Sequence, residues 1–127
     1  MIYGIGVDLV NVKRVERVLE RWGDRFVGRV FTQAEAGLCR SRAFPPSAFA
    51  MRFAAKEAFS KALGTGIRQG VGWRDAGVTN EPSGKPVLHV SEAMQERLQA
   101  LEIAGMQVSL SDEAGLTVAV VILEKAP

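Results

Sequence analysis

Apolar and polar positions alternate from Ile2 to Val10, which puts Ile5, Val7 and Leu9 on one face of a strand and Gly4, Gly6 and Asp8 on the other. Two positions without side chains therefore stand in line with one carboxylate. The spacing then turns helical. Asn11 is suited to cap a helix through about Trp22, where Gly23 and Asp24 interrupt it. Thr32 followed by Glu35 is a capping-box pattern for a shorter helix to about Arg40. Pro45 and Pro46 break the chain, and Ser47 starts a long helix that ends at Leu63, with Gly64 as its stop.

Beyond Gly70-Val71-Gly72 the pattern is β-like from Trp73 to Thr79, and Asn80-Glu81-Pro82-Ser83-Gly84 reads as a turn into a strand from Pro86 to Val90. Ser91 caps a further helix to about Ala104, and Gln107 to Ser111 with Leu116 to Glu124 predict a closing hairpin around Asp112-Glu113-Ala114-Gly115. The order βαααββαββ is that of an α+β domain. Leu116, Val118, Val120 and Ile122 occupy one face of the last strand and Thr117, Ala119, Val121 and Leu123 the other, so it is apolar on both sides. A central strand covered by helices and a subunit interface both account for that pattern.

Composition narrows the picture. A chain of 127 residues, 47% hydrophobic and 24% charged, fits one globular domain and excludes a two-domain enzyme. A domain of that size has little depth for a closed pocket, so a large substrate must lie in a surface groove or between subunits. With one cysteine, Cys39, and one histidine, His89, an internal disulfide and a four-ligand zinc site are both out of reach. Met1 leads into an apolar stretch with no basic preceding region, and no uncharged run approaches the ~18 residues of a membrane span, so a cytoplasmic protein that engages no membrane is expected. Sixteen basic against 14 acidic residues is a weak excess, so local clustering matters more than the total. Thirteen glycines, about 10% against a usual ~7%, mark tight turns and close backbone approaches.

The segment from Arg52 to Gly66 holds the most chemistry. On a helix Glu57, Ser60, Lys61 and Gly64 share one face, while alanines at 50, 54, 55, 58 and 62 permit close packing elsewhere. A lone Glu57-Lys61 pair in water is worth only about 0.3–0.5 kcal/mol. Its company changes the reading, because a lysine, hydroxyls and the backbone N–H groups of a Gly-Thr-Gly turn together suit a phosphate. A carboxylate such as Asp8 at the end of a buried strand needs a partner: a cap, a salt bridge or a metal. Mg2+ takes one or two protein carboxylates and completes its shell with water and substrate phosphate, a requirement that Asp8 and Glu57 meet if the fold joins them.

Gly4-Ile5-Gly6-Val7-Asp8-Leu9-Val10, the block from Arg52 to Ala62 with Gly64-Thr65-Gly66, and Gly84-Lys85-Pro86 closely resemble the bacterial holo-[acyl-carrier-protein] synthases, the short, trimeric group of the 4'-phosphopantetheinyl transferase superfamily. The likeness spans essentially the whole chain, with matching order and spacing. It implies a single domain over residues 1–127, with an antiparallel sheet packed against a long central helix. It also implies transfer of 4'-phosphopantetheine from coenzyme A to a serine of apo-acyl carrier protein, within fatty acid biosynthesis. On matching positions Asp8 and Glu57 correspond to the metal ligands for Mg2+, with Mn2+ as a substitute, and Lys61 to the lysine on coenzyme A phosphate. Asp8, Glu57 and Lys61 are accordingly the catalytic candidates. Ser60, Gly64, Thr65, Lys85 and Pro86 fall where the family lines the coenzyme cleft. Many relatives carry a histidine in the closing Val-Ser motif, whereas this chain reads Gln107-Val108-Ser109-Leu110-Ser111-Asp112, so no histidine role carries over there.

Lys13, Arg14, Arg17, Arg21 and Arg25 include a basic set on one side of the first helix, where the family docks its acidic carrier protein, and Arg14, Arg21 and Arg25 are the candidate contacts. The same basic helix would serve a small nucleic-acid-binding domain, but clustered aromatics are lacking. A purely structural oligomer subunit would leave Asp8 and Glu57 without purpose. A cofactor as large as coenzyme A on so short a chain favours sites between the subunits of a homotrimer.

Overall fold

Alternation at the two ends of the chain and helical spacing between them resolve into an α+β domain in the computed structural model, which describes residues 1–127. The elements are β1 (Ile2–Asn11), α1 (Val12–Trp22), α2 (Asp24–Val30), α3 (Gln33–Arg40), α4 (Pro45–Leu63), a 3-10 turn (Trp73–Asp75), β2 (Ala76–Asn80), β3 (Pro86–Val90), α5 (Glu92–Ala100), β4 (Ile103–Glu113) and β5 (Leu116–Lys125). One antiparallel sheet has the order β1-β5-β4, and β2 and β3 form a second, two-stranded sheet. The hairpin between β4 and β5 closes through Ala114 and Gly115, both left-handed at φ 53° and 80°, a pair that matches the twist of the strands it joins.

The helix α4 is the core of the molecule. Ala50, Ala54, Ala55 and Ala58 are fully buried along it, and their small side chains let β1 and β5 approach closely. On β5 the residues Thr117, Ala119, Val121 and Leu123 face α4 and are completely covered, while Val118, Val120 and Ile122 on the opposite face are only half-buried. Register sets those residues beside Ile5, Val7 and Leu9 of β1, which are 58%, 54% and 64% exposed. The doubly apolar last strand is therefore central in its sheet, but helices cover one face of that sheet only.

Several boundaries differ from the sequence pattern. Trp73 to Asp75 form a 3-10 turn, so β2 spans only Ala76–Asn80, and β4 runs from Ile103 to Glu113, beyond the expected Gln107 to Ser111. An extra helix, α2, follows Gly23, whose φ of 48° turns the chain sharply; Val27 and Val30 then bury one short face. Pro45 and Pro46 open α4 instead of preceding it, since proline has the φ of a first helical turn and lacks only an N–H that would be unpaired there. Finally α5 stops at Ala100, and Glu102 at φ 60° reverses the chain so that Ile103 already pairs with Lys125.

Candidate active site

Strand β1 crosses α4 with no side chain between them. A Cβ on Gly4 would lie 1.9 Å from Ala62 O, and one on Gly6 would lie 1.7 Å from Ala58 O, so only glycine allows this approach. The next inward residue, Asp8, is thereby set down on α4. Its Oδ1 accepts a hydrogen bond from Lys61 Nζ at 3.0 Å, and the same ammonium donates to Val7 O at 3.1 Å. Lys61 is half-exposed and Asp8 less so. A pair in that setting is worth about 0–1 kcal/mol, so the lysine can turn to another anion at little cost.

Glu57 stands one helical turn before Lys61 and is half-buried. Burial, and next the negative charge of Asp8, push its carboxyl above the usual carboxylate range, while Lys61 and Arg14 pull it back. Glu57 and Lys61 thus share one helix face as their spacing predicts, the fold brings Asp8 to them, and Arg14 joins their electrostatic surroundings. Two hard-oxygen donors that repel one another, with no third acidic, histidine or cysteine side chain in a cluster, fit the one or two carboxylates that Mg2+ takes from a protein.

The rest of the expected phosphate strip is arranged differently. Ser60 is fully buried, and its hydroxyl donates to Glu57 O at 2.7 Å. The backbone N–H groups of Gly64, Thr65 and Gly66 all point to Ser60 O, at 3.1, 3.2 and 3.1 Å. Thr65 is buried as well, with Oγ1 donating to Gly66 O at 2.7 Å. Gly64 at φ 92° wraps the chain back over the last helical turn, so these amides cap the helix carbonyl and form no open cradle. The exposed chemistry of this face reduces to Glu57 and Lys61.

A cavity of about 480 Å³ opens beside the β2-β3 turn, with Gly84 and Pro86 on one wall and Arg42, Ser47, Met51 and Arg52 among its other residues. Lys85, exposed at the turn, is not part of its lining. Arg52 is 3% exposed, and both its Nη2 and Arg42 Nη2 donate to Asn80 Oδ1, at 2.6 and 3.2 Å. No carboxylate pairs with either guanidinium, which leaves this cavity positively charged. Sequence reading missed both arginines because their convergence depends on β2 folding back along α4.

Arg21 and Arg25 lie 5.2 and 5.8 Å from the ring centroid of Trp22. Arg25 belongs to α2, not to the first helix, because Gly23 breaks the run. Trp22 and Arg25, with Val18, Phe26 and Arg29, line a groove of about 540 Å³. Trp22 and Phe26, four residues apart beside the basic set, are the signal that would have pointed to it. His89, the lone histidine, is exposed, with Nε2 2.7 Å from Thr79 Oγ1. Cys39 is sealed in the core, where burial raises its thiol from 9.0 to about 11 and keeps it protonated.

A family model described as the 4'-phosphopantetheinyl transferase superfamily matches residues 4–120. The chain belongs to that family. It is 50% identical to a holo-[acyl-carrier-protein] synthase of Methylorubrum extorquens, with 100% of this chain and 96% of that one aligned. A protein of the same name from Brucella ovis is 48% identical, at 100% and 98% coverage. Among solved structures, the holo-[acyl-carrier-protein] synthase of Neisseria meningitidis superposes with a TM-score of 0.92 at 41% identity, covering 98% of this chain and all of that one. The Helicobacter pylori protein, solved in complex with coenzyme A, gives a TM-score of 0.84 at 32% identity over 94% of this chain and 99% of its own.

Proposed function

We propose that this chain transfers the 4'-phosphopantetheine group of coenzyme A to a serine hydroxyl of apo-acyl carrier protein. The products are holo-acyl carrier protein, used in fatty acid biosynthesis, and adenosine 3',5'-bisphosphate. The observation that carries the reading is the meeting of Asp8, Glu57 and Lys61 at the glycine crossing of β1 and α4, in a chain similar over its whole length to holo-[acyl-carrier-protein] synthases.

In this reaction the serine oxygen forms a bond to the phosphorus that bears pantetheine. The bond from that phosphorus to the bridging oxygen breaks, and adenosine 3',5'-bisphosphate departs with the electron pair. Asp8 and Glu57 would hold Mg2+, or Mn2+ in its place, which when bound supplies positive charge against the diphosphate oxygens. Lys61 adds a compact cation on the same side and leaves Asp8 to do so. The proton from the serine goes to a carboxylate of this site or to water held beside it. The arginines and Pro86 of the 480 Å³ cavity suit the anionic adenosine end of coenzyme A, with Lys85 exposed on the turn between Gly84 and Pro86. Ser60, Gly64 and Thr65 serve by shaping the helix end that presents Lys61.

The groove around Trp22, with Arg21 and Arg25 beside it and Arg14 towards Glu57, suits an acidic carrier protein and would lead its serine to the metal side. Two features support a homotrimer with sites between subunits: the cavity includes none of Asp8, Glu57 and Lys61, and the outer face of the large sheet is open and apolar. The cytoplasm is the proposed place of action, and no helix is long and apolar enough to cross a membrane.

The test is to incubate the protein with coenzyme A, Mg2+ and apo-acyl carrier protein and to weigh the carrier by mass spectrometry. A gain of one phosphopantetheinyl group is expected. An unchanged carrier, beside a positive control, would contradict the function. Glu57→Gln is expected to slow transfer by at least ~10²-fold, as when a stabiliser of transition-state charge is removed, and normal turnover by that variant would refute the site.

A further inference from the structure

Strand β2 pairs with β3 along one edge only. Its other edge lies in the interior, where unpaired backbone groups are costly, and no third strand meets it. Charged side chains from α3 and α4 take that place. Lys56 Nζ donates to Ala76 O at 2.6 Å, Glu35 Oε2 accepts from Val78 N at 2.8 Å, and Arg52 Nε donates to Val78 O at 3.4 Å. Lys56 and Glu35 also bind one another, and Glu35 Oε1 accepts from Thr32 N at 3.1 Å within the capping box of α3. The two side chains are 1% and 0% exposed. Gly77 lies against the carboxylate so closely that a Cβ there would fall 3.0 Å from Glu35 Cδ.

A buried ion pair is a poor source of stability, because desolvation offsets most of its attraction and apolar residues of similar volume often do as well. What it supplies is direction, since Lys56 fixes Ala76 O against α4 and Glu35 fixes Val78 N against α3. Lys56 adjoins Glu57 in the chain. At the other end β2 finishes at Asn80, whose Nδ2 donates to Gly84 O at 2.9 Å at the wall of the arginine-lined cavity.

We propose that Glu35 and Lys56 are positioning residues for coenzyme binding. By clamping the free edge of β2 they hold the Asn80–Pro86 wall of the arginine-lined cavity in the shape that receives the anionic adenosine end of coenzyme A. The inference rests on the coenzyme A reading above.

Two variants test it. Glu35→Leu combined with Lys56→Met replaces the pair by apolar groups of similar size, and Gly77→Ala moves the strand off the carboxylate without removing any hydrogen-bonding group. Each is measured for melting temperature, for coenzyme A affinity by calorimetry, and for KM towards coenzyme A and carrier protein separately. A displacement of a fraction of an ångström to about 1 Å is expected to weaken coenzyme A binding and raise its KM on the order of 10-fold, with the carrier KM unchanged. A merely structural pair would instead lower the melting temperature and the active fraction and leave both KM values alone, which would overturn the proposal. Should the double variant fail to fold, Gly77→Ala decides. Wild-type protein that binds no coenzyme A overturns the functional reading together with this inference; wild type and folded Gly77→Ala binding it equally overturn this inference alone.

Discussion

Gly6 has no possible substitute at the crossing of β1 and α4, because any Cβ there would sit 1.7 Å from Ala58 O, well inside the contact distance of two atoms. Gly6→Ala must lift the strand off the helix, and Asp8 moves with it. The expected cost is at least the ~1–3 kcal/mol of an overpacked core, with a loss of transfer on the order of 10²-fold in whatever remains folded. Gly37→Ala is the matching control: it lies in α3 with nothing within 4 Å of the added carbon, and the melting temperature is expected to rise by the equivalent of ~0.5–1 kcal/mol. Melting curves and carrier-modification rates for both variants check the argument. Equal effects from the two would show that the close approach is not what makes the β1 glycine necessary.

At the scale of elements, the break at Gly23 turns what reads as one basic helix into two short ones that meet at Trp22. That bend brings Arg21 and Arg25 to the same aromatic ring, with Arg29 completing the edge of the groove. Long-range charge mainly accelerates encounter and is screened by salt. Reversing both signs with Arg21→Glu and Arg25→Glu is therefore expected to raise the carrier KM on the order of 10-fold and flatten its salt dependence, with kcat at saturating carrier and coenzyme A affinity retained. Initial rates across a salt series measure this. An unchanged carrier KM would remove the groove from the docking surface.

The whole molecule presents one sheet face that its own helices leave uncovered. Ile5, Val7 and Leu9 are each more than half exposed beside the half-buried Val118, Val120 and Ile122, a contiguous apolar surface of the kind that marks an interface. Val7→Lys places a charge in that face, where it faces water in the single chain and is buried in an assembly. If the proposed trimer forms through this face, the variant is expected to keep its fold, to sediment as a monomer where the wild type sediments as a trimer, and to lose transfer on the order of 10²-fold. A monomeric variant that remains fully active would refute sites shared between subunits.

The sequence by itself determined the elements with regular periodicity or unambiguous caps: β1, α1, α3, β3 and β5, and the stop of α4 at Gly64. It also placed Glu57 and Lys61 on one face, because a helical repeat fixes which side chains align, and named Asp8 through the family resemblance; that Asp8 meets them was decided by the crossing of β1 and α4. Tertiary structure decided what depends on contact between distant segments. Ser60, Thr65 and the Gly-Thr-Gly amides satisfy hydrogen bonds within their own turn, so a strip that is polar in sequence became mostly closed. Helix α2 has only seven residues, too few for its period to stand out, and needed Val27 and Val30 to find a core. Arg42 and Arg52 became one cation pair only through Asn80, and Glu35 became the partner of Lys56 only because β2 lies across both helices. Local pattern specifies which way a side chain faces along its own element; the group it meets is set by packing between elements.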